Sequence, residues 1–221
     1  MRKILQKYNE ALKVPQEIYD ELHKEFLVPL DLWIDGEQEF KNNSDLFYIW
    51  GDNRPELKTR KGMALVNLDG KNDPEDISIG PLDHHNIKYD EGLVDECYLE
   101  CHFTQPTPQL DDACKELKQF DLGRSSILWW QAGDNFVPHV DVRLPTVNLR
   151  LWGCTDSGNI RLRSGPNPND LVKASYESKR LYLIDTSIIH DAYAYDEVYQ
   201  YFIALLPTEN NYNLLRNSID I

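Results

Sequence analysis

Apolar positions along this chain follow two different periods, and the change between them divides it. VPQEIYDELHKEFLVPLDLW opens as a helix: Ile18, Leu22 and Phe26 recur at helical spacing, and Pro15 suits an early helical position. Residues 51–93 lose any period. GDNRPELKTRKGMALVNLDGKNDPEDISIGPLDHHN is polar and rich in Gly, Pro and Asp, with one strand candidate at MALVNL. It predicts surface loops of the kind that can surround a site. VDECYLECHF then alternates as a strand does. TPQLDDACKELKQF returns to the helical period through Leu110, Cys114 and Leu117, with Thr107 or Pro108 at its start.

From residue 125 the texture is that of strands. SSILWWQA, NFVPHVDV, VNLRLWGC, NIRLRSG, RLYLID and YQYFIALLP are short runs separated by the turn clusters GD, RLPT, TDSG, GPNPND and AYDE. Regular short strands with such punctuation predict an antiparallel sandwich or barrel, jelly rolls included. There is no internal repeat, low-complexity tract or clear linker. One domain over residues 1–221 is expected, with a helical and loop-rich elaboration over 1–120, a β core over 121–207 and a tail over 208–221.

Composition narrows the partners. The chain is 41% hydrophobic and 11% aromatic, which suffices for a sizeable core. Its 37 acidic residues outnumber 23 basic ones, for a formal charge of −14. A field of that sign repels phosphate, so neither nucleic acid nor an anionic membrane surface is expected as a partner. No apolar run reaches the length of a spanning helix. MRKILQKYNEALKVPQ lacks the continuous apolar segment of a signal peptide. Cys97, Cys101, Cys114 and Cys154 are expected as reduced thiols of a cytoplasmic protein, and the isolated C-x3-C pair does not make a zinc knuckle.

FVPHVDV, residues 136–142, reads as buried strand yet carries a histidine and an aspartate. Two apart on an extended backbone, His139 and Asp141 leave one face together with Val137, while Pro138, Val140 and Val142 point the other way. Buried, such a pair needs a hydrogen-bonding partner or a metal. His190 follows after 48 intervening residues, directly behind the run RLYLID and the turn TSII. Two imidazoles and one carboxylate can occupy one face of an octahedral metal and leave the other open, as in non-haem Fe(II) oxygenases. The bland counterpart is a core histidine bonded to a nearby carboxylate. The surrounding strands and the downstream histidine shift the expectation toward metal. His84-His85, adjacent in a loop-like stretch, reads as solvated or substrate-lining. No phosphate-binding glycine loop and no GxSxG elbow is present.

LGRSSILWWQAGDNFVPHVDVRLPTVNLRLWG resembles the aspartyl/asparaginyl β-hydroxylase branch of the Fe(II)- and 2-oxoglutarate-dependent oxygenases. The resemblance is carried by Gly123-Arg124-Ser125, Ala132-Gly133, Pro138-His139-Val140-Asp141 and Asn148-Leu149-Arg150-Leu151-Trp152. RLYLIDTSIIHDAYAYDEVYQYFIALLP is similar to that family's layout of strand, Asp-Thr, histidine, loop and final strand. The likeness spans roughly residues 97–207. It implies a double-stranded β-helix (jelly roll) with flanking N-terminal helices, Fe(II) held by His139, Asp141 and His190, and 2-oxoglutarate as co-substrate. Arg150 matches an arginine that helps bind the oxo acid. Period two along VNLRLWGC places Asn148, Arg150, Trp152 and Cys154 on one face and Val147, Leu149 and Leu151 on the other. A basic group among apolar neighbours suits a buried carboxylate, or equally a structural ion pair. Trp129, Trp130, Trp152 and Phe136 would wall a pocket or fill the core.

The sequence departs from the family at the far end of the oxo acid. An arginine is usual ten residues after the distal histidine, and position 200 is Gln200; a hydroxyl is usual eleven residues before the first histidine, and position 128 is Leu128. Glutamine donates hydrogen bonds but brings no charge. Three readings stay open: another cation replaces the arginine, the co-substrate is a different oxo acid, or the domain binds metal without turnover. The first is the expectation, with Arg161 and Arg163 as candidates and Arg180 behind them. The function expected is therefore an oxygenase hydroxylating a C–H bond of a peptide side chain or small molecule. A cupin-like metal protein is disfavoured by the lack of H-x-H, and a non-catalytic interaction domain draws its support from Gln200.

Overall fold

The computed structural model describes residues 13–49, 60–67, 70–72, 101–104, 110–141 and 149–219. Most of the loop-rich stretch 51–93, His84-His85, most of VDECYLECHF, the Thr107–Pro108 helix start and Asn148 lie outside them.

Helix α1 (Gln16–Leu22) starts after Pro15 and buries Ile18 and Leu22. Phe26 is not on it, contrary to the periodicity. LVPLDLW instead forms strand β1 (Leu27–Trp33), because Pro29 cannot continue a helix and the run alternates buried with exposed positions. Pro29 is tolerated because β1 lies at the sheet edge among the described strands. Helix α2 (Glu37–Asn42) follows, then strands β2 (Tyr48–Ile49), β3 (Lys61–Asn67) and β4 (His102–Phe103).

The helix expected over TPQLDDACKELKQF is only one turn, α3 (Asp111–Cys114), followed by a separate 3-10 turn at Leu117–Gln119. No side chain of its own caps α3. The Glu39 carboxylate of α2 does so from outside, accepting the N–H groups of Asp112 and Ala113 at 3.0 and 2.8 Å. Leu110, Cys114 and Leu117 are buried all the same.

Eight strands then build the core: β5 (Ser125–Trp130), β6 (Asn135–His139), β7 (Arg150–Cys154), β8 (Ile160–Gly165), β9 (Val172–Lys173), β10 (Arg180–Ile184), β11 (Ile189–Ala194) and β12 (Val198–Ala204). The chain crosses repeatedly between two antiparallel sheets. The larger has the order β1-β10-β7-β12-β5-β3-β2, with β4 beside β3, and the smaller β6-β11-β8-β9. This is a jelly roll, a double-stranded β-helix. Helix α4 (Glu209–Ile219) closes the described chain and packs on β1 and α1.

Period two sorts each strand of the larger sheet between two hydrophobic layers. Ile127, Leu149, Leu151, Leu181, Leu183, Tyr199, Tyr201 and Ile203 face outward onto residues of the helices, among them Ile18, Phe40, Tyr212 and Leu215. Leu128, Trp130, Trp152, Cys154, Tyr182, Ile184 and Val198 face inward and meet Ile160, Leu162, Ala192 and Ala194 of the smaller sheet. A sheet covered on both faces explains why its strands read as nearly continuous apolar runs. Among the described residues the smaller sheet is covered on one face only. Two of its strands, β9 and β11, are not among the apolar runs that the sequence offers as strands. In β11 the inward positions are His190, Ala192 and Ala194, too small or polar to announce a strand.

Candidate metal centre

The site sits where β6 and β11 meet. These strands run antiparallel, with His139 opposite His190 and Phe136 opposite Ala192. Three steps along β6 thus match two along β11, so β6 carries a β-bulge at Val137–Pro138. The bulge overturns the strict alternation expected for FVPHVDV. Phe136 and His139 both turn inward, their ring centroids 5.4 Å apart, while Val137 is 67% exposed. Nor is the stretch buried: Val140 is 40% exposed.

Asp141 lies past the end of β6, so a single strand does not deliver both side chains. Its N–H donates to the Thr186 carbonyl at 3.0 Å, which ties it to the turn between β10 and β11. That turn is braced by Asp185, whose carboxylate accepts from His23 Nδ1 at 2.8 Å and from the N–H and hydroxyl of Ser187 at 2.9 and 2.5 Å. His190, the second residue of β11, follows directly.

The three side chains converge. Each offers one ligand atom, and these atoms all lie within 4.8 Å of one another. His139 Nε2 is 3.2 Å from Asp141 Oδ1, and His190 Nε2 is 4.0 Å from Asp141 Oδ2. The two imidazole centroids are 4.5 Å apart. Nδ1 of His139 donates to the Val137 carbonyl at 2.7 Å and Nδ1 of His190 to the Ile188 carbonyl at 2.8 Å. Carbonyls only accept, so both neutral rings carry the proton on Nδ1 and present a lone pair at Nε2. That lone pair faces carboxylate oxygens, and two such acceptors need a proton or a cation between them.

Electrostatics favour the deprotonated donor set. Burial alone would raise the Asp141 carboxyl. The close approach of His139, the charge of Arg150 and the nearby His190 ring outweigh burial and hold it below its ordinary value. Burial pushes His190 below its ordinary value, against the pull of the Ile188 carbonyl and of Asp141, which favours the neutral imidazole.

Behind the triad a cavity of about 160 Å³ opens between the sheets, lined by Leu128, Phe136, Trp152, Leu162, Ile184, Ala192, Gln200 and Phe202. Trp152 and Gln200 are thus in its wall. Arg150 is buried on the same face of β7, its guanidinium carbon 4.6 Å from the Phe202 ring centroid. Trp130 lies beneath in the inter-sheet layer, whereas Trp129 belongs to the opposite face and stacks on Tyr199 at 5.6 Å.

The expected substitute cations are elsewhere. Arg161 and Arg163 alternate with the inward Ile160 and Leu162, so they stand on the outer face of β8. Arg163 makes a paired hydrogen bond to Asp191, Nε to Oδ1 at 3.0 Å and Nη2 to Oδ2, and Arg161 lies 3.9 Å from the same carboxylate. Arg180 donates to the Leu30 carbonyl and to Glu177. None of the three reaches the cavity. The sequence reading also passed over Leu162, Ile184, Ala192 and Phe202 as wall residues. The parity of NIRLRSG already contained both results, since inward Leu162 puts both arginines outside.

No protein-family model and no curated protein matches the chain. Solved structures do. The ribosomal oxygenase YcfD from Escherichia coli, in complex with cobalt and succinic acid, aligns with a TM-score of 0.35 at 20% identity, covering 65% of this chain and 39% of its own. Across the YcfD structures this chain spans between 39% and 54% of that protein's length. OsALKBH1 aligns at 0.48 and 11% identity over 82% of this chain and 98% of its own. A prolyl hydroxylase from Trichoplax adhaerens, in complex with a hypoxia inducible factor peptide fragment, aligns at 0.47 and 14% identity over 88% and 90%.

Proposed function

We propose that the protein is a non-haem Fe(II)-dependent oxygenase that uses a 2-oxo acid to hydroxylate a C–H bond of a peptide side chain or small molecule. The observation that carries this reading is the convergence of His139, Asp141 and His190, with both Nε2 lone pairs directed at one carboxylate at the mouth of a cavity. The donor set fits a divalent metal of imidazole and carboxylate preference: two neutral rings, one anion and no thiolate.

Bound there with a 2-oxo acid and dioxygen, Fe(II) supplies oxidative decarboxylation of the acid coupled to transfer of one oxygen atom to a C–H bond. The chain's own residues do the rest. The Val137 and Ile188 carbonyls fix the rings, and the bond from Asp141 N–H to Thr186 fixes the carboxylate. Phe136, Trp152, Leu162, Ile184 and Phe202 keep water from the cavity. Arg150, beside Asp141, supplies positive charge near the mouth. The far carboxylate of 2-oxoglutarate is not matched by any cation among the described lining residues. Gln200 therefore also supports a second reading, a jelly roll that holds metal without turnover.

Anaerobic addition of Fe(II), followed by 2-oxoglutarate or by an uncharged-tailed 2-oxo acid, separates these readings. A visible metal-to-ligand charge-transfer band with wild type, lost in His139→Ala together with about 100-fold or more of metal affinity, is the expected result. Metal binding without a band for any acid would leave the non-turnover reading standing and sink the oxygenase.

A further inference from the structure

The cavity changes character with depth. Arg150 pairs with Ile184 at the end of β10, and the Thr186 carbonyl just beyond holds the Asp141 N–H, so the Arg150 end of β7 is the metal end. Cys154 lies four residues further along that strand, about 13 Å at strand rise, and is the cross-strand partner of Gln200. Gln200 also pairs with Leu128 on its other side. The deep end is therefore built from Gln200, Leu128 and Leu162, closed beneath by Trp130, Cys154, Ile160 and Val198 of the inter-sheet layer.

Gln200 is 5% exposed, and its Oε1 is buried with no hydrogen-bond partner. Apart from the triad it is the one polar side chain among the described lining residues. Arg161, Arg163 and Arg180 are engaged on other surfaces. Arg60 presses its guanidinium against the Phe136 ring, 3.7 Å from the centroid, and does not line the cavity. The Arg150 guanidinium lies over the Phe202 ring, with its backbone at the metal end of β7. A carboxylate carried to the deep end would be desolvated against leucines, tryptophan and a neutral amide, an unfavourable burial of charge. An uncharged group would not be penalised, and one that donates a hydrogen bond would satisfy Gln200 Oε1. The cavity's 160 Å³ resembles the roughly 150 Å³ sites that hold benzene, so the ligand has on the order of six carbons.

Resting on the oxygenase reading, we infer that the co-substrate is a 2-oxo monocarboxylic acid whose far end is uncharged, seated against Gln200. The single carboxylate and adjacent oxo group would face the metal, leaving an amide, hydroxyl or short apolar tail at Leu128 and Gln200.

The test is calorimetric, with the Mn(II)-loaded protein under anaerobic conditions. Three acids are compared: 2-oxoglutarate, its isosteric monoamide 2-oxoglutaramate, and 4-methyl-2-oxopentanoate. The better of the two uncharged-tailed acids is expected to bind at least about tenfold more tightly than 2-oxoglutarate. A smaller margin, or the reverse order, overturns the inference and leaves the oxygenase reading intact. Failure of all three acids to bind the metal-loaded protein overturns both. Gln200→Arg is expected to reverse the preference, with circular dichroism and thermal melting as the check on its folding. The wild-type comparison decides the matter even where that variant does not fold.

Discussion

At the scale of single residues, His190 has an unusual balance. A histidine facing an aspartate ordinarily gains proton affinity, but burial wins here and its value falls below the usual 6.5. The unfolded chain then binds the proton more readily than the folded one. Stability is thus unaffected by this group above about 6.5 and declines as pH falls below it, by at most about 1.4 kcal/mol per pH unit. Asp141, held below its ordinary value, contributes stability that is lost only in a lower window, as pH falls through the carboxylate range. Thermal melts of metal-stripped protein between neutrality and mild acid should show the first decline, and His190→Gln should flatten it; an unchanged slope in the variant would refute the assignment. The His139–Asp141 pair was legible as a motif in the sequence. The bulge that swings Val137 outward was not, because nothing in FVPHVDV distinguishes a bulged strand from a regular one.

At the scale of elements, the smaller sheet keeps its chemistry on one face and its braces on the other. His190, Ala192, Ile160 and Leu162 point inward, while Asp191 and Arg163 sit directly opposite each other outside. Asp191 is nearly inaccessible and depends on its bidentate partner. Arg163→Ala is therefore expected to lower stability by about 2 kcal/mol in urea denaturation, leaving a buried carboxylate to the more distant Arg161. Metal affinity should stay within about threefold of wild type, since the pair faces away from the site. A large loss of metal binding would mean that Arg163 belongs to the cavity after all. Six of the eight core strands were legible from apolar runs and turn clusters. β11 was not, since its inward residues are a histidine and two alanines, and β9 is only Val172–Lys173. The helix over Asp111–Cys114 is shorter than its period suggests, and a partner carboxylate, Glu39, caps its first turn.

At the scale of the whole molecule, the described residues cover one sheet on both faces and the other on one, and the site lies between them. The jelly roll was foreseeable because strand spacing and a resemblance agreed. The missing cation was foreseeable only as a gap, since filling it required knowing which way each arginine points. The site's first histidine stands on β6, which among the described strands pairs on one side alone. A free strand flank bearing exposed Val137 and Val140 is a template onto which a second chain could zip. Pro138 withdraws a backbone donor in the middle of that flank, and the bulge beside it bends the rest out of register. Pro138→Val should therefore yield concentration-dependent dimers and larger species in sedimentation velocity, where the parent chain sediments as a smaller one. Identical profiles would show that the edge is guarded by something else. If the larger species form, the kink that orients His139 is also what keeps neighbouring copies of the protein apart.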